Sequence, residues 1–302
     1  MLIAFVHPHK SFIPELDFYS GYFRNRSVNV EIVTPDQIQK IKPDVEWHIM
    51  GTDYASPKNP VIKIHEYSSA SVPPLRKLKN YSKKIFNTKP SYRIFLNEYV
   101  RSCFGFQDDV PFGFRDMGIP EPIVQSGPVQ KEYDFIYTGS LAPQRKMDVL
   151  FDLFCGKDLA ERSLLVLSAN FNEYAEKYRA HPNIRFEGPV SYRTVASYIL
   201  KARFGLNFIP DREPYNRQSS TKFLEYAACG IPVITTSYEW IRSFQKEYGG
   251  AYFYLEKEAS NFTWKQLQNF KFASPDLRSW TWEEQIRRSG VVEFLRQRRV
   301  LE

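Results

Sequence analysis

The chain has 302 residues, 43% hydrophobic and 25% charged, with a formal net charge of +7. That composition excludes an intrinsically disordered chain, and the length is sufficient for two domains of ordinary size. No apolar run approaches the roughly 18 residues a spanning helix needs, and the positive excess points to an anionic partner: nucleic acid, a phosphorylated small molecule or a membrane surface.

The first strand is predicted at Leu2–Val6, and a helix follows Pro14, with Leu16, Tyr19 and Phe23 on one face. Further strands are predicted at Val28–Val33, Trp47–Met50, Val61–Ile64 and Arg93–Leu96. Residues 119–132, "IPEPIVQSGPVQKE", read as a linker. The pattern then restarts with strands at Tyr133–Tyr137, Leu164–Ser168, Phe204–Ile209 and Val233–Thr235. Helices are expected at Lys146–Phe154, Thr194–Lys201, Lys222–Cys229 and Trp282–Arg299. Two βαβ series imply an α/β protein of two Rossmann-like domains facing across a cleft. The expected division is 1–125, 126–280, and a closing helix at 281–302 that packs back on the first domain. Ligands of such sheets bind beyond the carboxyl ends of the strands, so the cleft is the expected site.

Cys103, Cys155 and Cys229 have neither metal nor redox spacing, which suits a reducing compartment. The start "MLIAFVHPHKSF" has no basic segment ahead of its short apolar run, so no secretory signal is expected and a cytoplasmic location is.

Two stretches carry anion chemistry. After the strand "YDFIYTG" comes "GSLAPQRKMDVLFDLF", a glycine turn leading to a helix whose start bears Arg145 and Lys146; free N–H groups plus two cations suit a phosphate. A solvated basic pair at a loop edge is the alternative. The second stretch is "SSTKFLEYAACGIPVITT" (219–236). Ser219, Ser220 or Thr221 can cap a helix, Gly230 can follow its end, and Pro232 prevents continuation. Lys222 and Glu225, three apart, share a face. One turn thus offers a cation for a diphosphate and an acceptor for ribose hydroxyls; a surface ion pair is the alternative.

In this order, Gly139…Arg145-Lys146, "HPNIRFEGPVSY" (181–192) and "STKFLEYAACGIPVITT" resemble the nucleotide-binding domain of GT-B glycosyltransferases. The likeness is greatest to the retaining family 4, or glycosyltransferase group 1, type. It covers about residues 133–240 and is mainly one of fold over 1–120. It implies that Lys146 contacts the donor diphosphate, that Lys222 matches a lysine of the "Pro-Ser-Lys-x-x-Glu-Tyr" variant, and that Glu225 is the ribose-holding second glutamate of Glu-x7-Glu. Gly230 and Pro232 match Gly-x-Pro-Val, and Gly188-Pro189-Val190 falls at a loop near the base. Gly139, Ser140 and Thr221 complete the implied substrate-binding set. Two departures stand out. Arg217 occupies the place of the first glutamate, and Gly139-Ser140 replaces a Gly-Arg pair, so Arg145 or Arg217 is expected to take over phosphate or sugar contacts.

In the first domain the resemblance implies an acceptor site and a histidine facing the donor sugar. His65, at the end of "VIKIH", is the candidate, a satisfied strand-end histidine the alternative; His7 and His9 are further cleft candidates. Residues 73–89, "PPLRKLKNYSKKIFNTK", form a basic amphipathic stretch suited to an anionic membrane, to a glycan stacked on its tyrosine and phenylalanine, or to a core-facing helix with a solvated basic side. No nucleic-acid motif accompanies the charge, so nucleic acid is not an expected partner.

The resulting expectation is a metal-independent glycosyltransferase without a cofactor; no Asp-x-Asp motif is present. It would take a nucleotide-diphosphate sugar as donor and a glycan or lipid-linked acceptor, in bacterial surface polysaccharide or glycolipid synthesis, peripheral on the inner face of the membrane. His65, Lys146 and Lys222 would act in catalysis, and Arg145, Arg217, Glu225, Ser140, Gly139 and Thr221 in binding. The rivals are a nucleotide-sugar epimerase and a degenerate binder without turnover.

Overall fold

A computed structural model of the chain describes residues 1–8, 13–49, 53, 61–71, 74–120, 129–156 and 158–301. It divides into two compact units, 1–118 with 279–302, and 119–278.

The first unit contains β1 (Leu2–Val6), α1 (Glu15–Arg24), β2 (Asn29–Val33), β3 (Val45–Ile49), β4 (Ile62–Tyr67), α2 (Arg76–Phe86), β5 (Tyr92–Phe95), α3 (Glu98–Phe104) and β6 (Phe112–Phe114). All pairings are parallel, in the order β2-β1-β3-β4-β5-β6. β1, β4 and β5 are buried along almost their whole length, as in a parallel sheet covered on both faces.

The second unit contains β7 (Tyr133–Thr138), α4 (Asp148–Phe151), β8 (Leu164–Leu167), α5 (Asn172–Lys177), β9 (Ile184–Glu187), α6 (Tyr192–Leu200), β10 (Ala202–Asn207), α7 (Thr221–Ala228), β11 (Val233–Thr236), α8 (Glu239–Tyr248), β12 (Phe253–Leu255) and α9 (Trp264–Asn269). Its parallel order, β9-β8-β7-β10-β11-β12, is that of a dinucleotide-binding sheet. The order reverses between β7 and β10, and that reversal locates the site below.

The chain closes with α10 (Trp282–Arg288) and α11 (Val291–Gln297), both in the first unit. Ile286, Val291, Phe294 and Leu295 are buried with Ile3, Phe5 and Trp47, and the Tyr92 hydroxyl donates to the Ser289 carbonyl at 2.8 Å.

Two predicted elements differ. The expected 146–154 helix is one α-turn, α4, between 3-10 turns at Pro143–Arg145 and Asp152–Cys155. The expected Trp282–Arg299 helix is broken at Ser289–Gly290 into α10 and α11. Most of the 119–132 linker, Met50 and Pro73 lie outside the described residues.

Candidate nucleotide site

In open α/β sheets the crevice beyond the strand ends opens where the strand order reverses. In the second unit that is the carboxyl end of β7 and β10. Gly139 follows β7 directly, with φ +126°, a region that disfavours side chains. A Cβ there would lie 3.4 Å from Lys222 Cε and 3.7 Å from its Nζ, so the bare backbone lies along the Lys222 side chain. Ser140 is exposed; its carbonyl accepts from Tyr137 and its hydroxyl from the Ala142 N–H. Arg145 ends the 3-10 turn that follows. Lys146 comes next at φ +50°, with its side chain exposed. The expected phosphate-binding helix start does not form there. The α4 helix is a single turn beginning at Asp148, whose carboxylate already answers the positive helix end and pairs with Lys177.

The α7 helix supplies the other half. Ser220 is its cap, accepting from the Phe223 N–H at 3.4 Å and donating to Asn207 Oδ1 at 2.6 Å. Asn207, the last residue of β10, donates in turn to the Thr235 and Tyr238 hydroxyls. The cap is therefore Ser220, with Thr221 the first helical residue. Tyr226 lies so close to β10 that a Cβ at Gly205 would fall 2.4 Å from its ring, and its hydroxyl accepts from the Thr138 N–H at 2.9 Å. Gly205 thus lets α7 settle onto the sheet, which fixes Lys222 beside Gly139.

Lys222 is 9% exposed and makes no ion pair among the described residues. Burial, reinforced by the charge of Arg145 and opposed by Glu225, lowers its pKa to about 7. Its Nζ stands 5.5 Å from the Tyr137 ring centroid. Burial likewise raises Glu225 to about 7, against the pull of Lys222 and of the Tyr192 hydroxyl. Arg145 lies 5.4 Å from the Tyr215 ring, and its Nη1 is buried without a hydrogen-bond partner. The structure thus brings Gly139, Arg145, Lys222 and Glu225 together, with the donors of two cations unanswered.

The remaining candidates lie elsewhere. Arg217 donates to Glu239 through Nε (3.0 Å) and Nη2 (2.8 Å), with Glu213 at 3.9 Å. Its charge is met by carboxylates, unlike those of Arg145 and Lys222. In the first unit His65 is wholly buried in β4. Its Nε2 lies 3.2 Å from Asp53, which also receives Lys63 at 2.7 Å. Burial lowers the His65 pKa to about 4. A ring without exposed surface cannot meet a sugar, so the strand-end alternative describes His65 better than the substrate-facing one. His7 is buried as well, and His9 lies outside the described residues.

Sequence reasoning missed Tyr192, Tyr137, Tyr215 and Asn207. Tyr192 closes "HPNIRFEGPVSY", yet nothing local marks it as acting on Glu225, 33 positions on; α6 brings it there by crossing from β9 to β10. Asn207 at a strand end, thirteen residues before a capping serine, was the one legible signal.

A family model described as glycosyl transferase-like matches residues 150–300. Comparison with curated proteins gives no match. Among solved structures, AviGT4, a glycosyltransferase involved in avilamycin A biosynthesis, is similar at 15% identity and TM-score 0.60, over 99% of this chain and 97% of that one. Anabaena Alr3699/HepE, in complex with UDP-glucose, is similar at 13% identity and TM-score 0.62, over 98% of each. The Methanocaldococcus jannaschii UDP-GlcNAc 2-epimerase, in complex with UDP-GlcNAc and UDP, is similar at 14% identity and TM-score 0.56, over 97% of this chain and all of that one. These likenesses show an α/β, two-domain GT-B fold.

Proposed function

Because the chain belongs to the glycosyl transferase-like family, we propose that its second unit binds a nucleotide-diphosphate sugar and that the protein transfers the sugar to a glycan or lipid-linked acceptor. The carrying observation is the pair of unanswered cations: Lys222, buried without an ion pair among the described residues, and Arg145, with an orphaned Nη1, beside bare backbone at Gly139. A buried, unpaired ammonium is costly in the free protein. A diphosphate would supply the missing charge and return Lys222 to its ordinary ammonium form.

The chemistry follows from that placement. When the bond between the anomeric carbon and the diphosphate breaks, negative charge grows on the leaving oxygen. Cations already fixed there stabilise that charge without reorganising. We assign this to Lys222 and Arg145, with Lys146 as an exposed cation available to the distal phosphate. Glu225 accepts from the ribose hydroxyls. In this reading the side chains serve where other transferases use a metal, and the anomeric configuration is retained as in the family 4 enzymes that the sequence resembles. Surface polysaccharide or glycolipid synthesis is the setting we assign.

The test is a panel of UDP-, GDP-, dTDP- and CMP-sugars, read by thermal shift and by analysis of products, with and without EDTA. One nucleotide-sugar should raise the unfolding temperature and yield hydrolysis or transfer, unchanged by EDTA. Binding without either product, or an epimerised sugar as the sole product, overturns the transferase reading.

A further inference from the structure

The α2 helix is turned inside out relative to a surface helix of a soluble protein. Its apolar residues Leu78, Tyr81, Ile85 and Phe86, with the cap residue Leu75, gather along one side and are between 53% and 68% exposed. The face turned inward is polar. Asn80 is buried, donating to the Cys103 carbonyl at 3.2 Å and accepting from the Ser71 N–H at 3.4 Å. Lys84 donates to the Gly105 carbonyl at 2.5 Å, and Lys83 lies 6.0 Å from the Phe104 ring. A helix is normally held to its domain by the apolar stripe; this one is held by hydrogen bonds, and the stripe is presented outward.

The charges flanking the stripe say what covers it. Residues 76–86 hold five cations, Arg76, Lys77, Lys79, Lys83 and Lys84, and no acid. On a helical wheel Lys77 falls on one side of the stripe, Lys79 and Arg76 on the other. A second copy of the chain docked by a two-fold axis would bring two sets of five cations together, which is repulsive. An apolar ridge flanked by long cationic side chains matches the headgroup boundary of an anionic bilayer: the ridge enters the acyl region while lysines reach back to phosphates.

We propose that α2 is a bilayer-docking helix that seats the first unit on an anionic lipid surface. This stands apart from the donor reading and is tested apart from it. The full chain is sedimented with vesicles of phosphatidylcholine alone, and of phosphatidylcholine mixed with phosphatidylglycerol, at low and high salt. The protein should partition into the anionic vesicles, less so as salt rises, and not into the neutral ones. The pair Leu78→Glu/Ile85→Glu and the pair Lys77→Glu/Lys79→Glu should each weaken partitioning by about tenfold or more. Unfolding temperature and nucleotide-sugar binding should stay unchanged, because these side chains point to solvent. Should the glutamates disturb folding, Leu78→Gln/Ile85→Gln serves in their place. Four results overturn the proposal: no binding to anionic vesicles at low salt, equal binding to neutral vesicles, full binding by the Leu78/Ile85 variant, or a lipid-free dimer that this variant converts to monomer.

Discussion

Among the described residues each unit buries one lysine, Lys63 at the start of β4 and Lys222 at the start of α7, and the two are treated in opposite ways. Lys63, 4% exposed, lies 2.7 Å from Asp53, 3.2 Å from the Thr88 hydroxyl and 3.6 Å from Glu46. Lys222, 9% exposed, makes no ion pair among the described residues and has a second cation, Arg145, acting on it. The first cluster closes its own charge balance. Burial raises the Asp53 carboxyl, but hydrogen bonds from His65, Lys63 and Thr88, with the charge of His48, overcome this and hold it well below the ordinary range. The second cluster leaves its balance open. The difference separates a charge network that holds a fold from one that awaits a ligand, although both are buried and both include residues singled out from sequence.

The strongest way to break this comparison is to open the closed cluster. Asp53→Ala removes the nearest carboxylate of the buried Lys63, with Glu46 at longer range, and should cost about 3 to 5 kcal/mol of stability, the toll of an undercompensated buried charge. Chemical denaturation measures it. A loss under about 1 kcal/mol would mean that the Asp53 cluster is not structural.

The matching change in the open cluster should act on function instead. Lys222→Met removes a buried ammonium that makes no ion pair among the described residues, so stability should hold or rise. Turnover should fall roughly 10²- to 10³-fold, because the lost charge serves the leaving diphosphate. An unchanged rate removes Lys222 from the site. The pH dependence sharpens this. A lysine with its pKa lowered in the folded state favours folding at high pH and loses that contribution as pH falls through about 7. Binding runs the other way, since the diphosphate needs the charged form. Nucleotide affinity should therefore weaken as pH rises above 7, by up to about tenfold per unit, with proton uptake visible by calorimetry in buffers of different ionisation heat. Lys222→Arg, charged throughout, should lose that dependence.

The sequence made much of this legible where the signal was local. Strands β1, β7 and β11 and helix α7 are each written as short apolar runs bounded by turn residues, and the Ser220 cap and Gly230 stop are encoded within a dozen positions. What escaped is set by topology. The strand reversal between β7 and β10, which makes the Gly139–Lys222 contact a site, depends on which strands become neighbours. Gly205 is an unremarked glycine until Tyr226 packs over it. The α2 stripe was visible, but periodicity says only that a helix has an apolar side, not which way that side points. His65 misled for the same reason: a histidine at a strand end is equally a ligand-facing group or a buried one until its neighbours are known.

Arg217 carries the smallest expected effect. As a residue standing where the resembling family has a glutamate, it invites a role in sugar choice. The structure gives it two carboxylates, Glu239 and Glu213, with its side chain 40% exposed. An exposed ion pair contributes between zero and about 1 kcal/mol. Arg217→Gln should therefore lower stability by less than about 1 kcal/mol and change turnover by no more than about threefold, with the same preferred donor. Arg217→Glu is the sharper probe. It restores the family residue but places a third carboxylate beside Glu213 and Glu239, so it should destabilise the 3-10 turn at Tyr215–Arg217 without improving donor use. If Arg217→Gln instead cost tenfold or more in turnover at an unchanged unfolding temperature, Arg217 would belong with Lys222 as a cation that awaits its anion, and the pairing with Glu239 would be a resting state that donor binding exchanges.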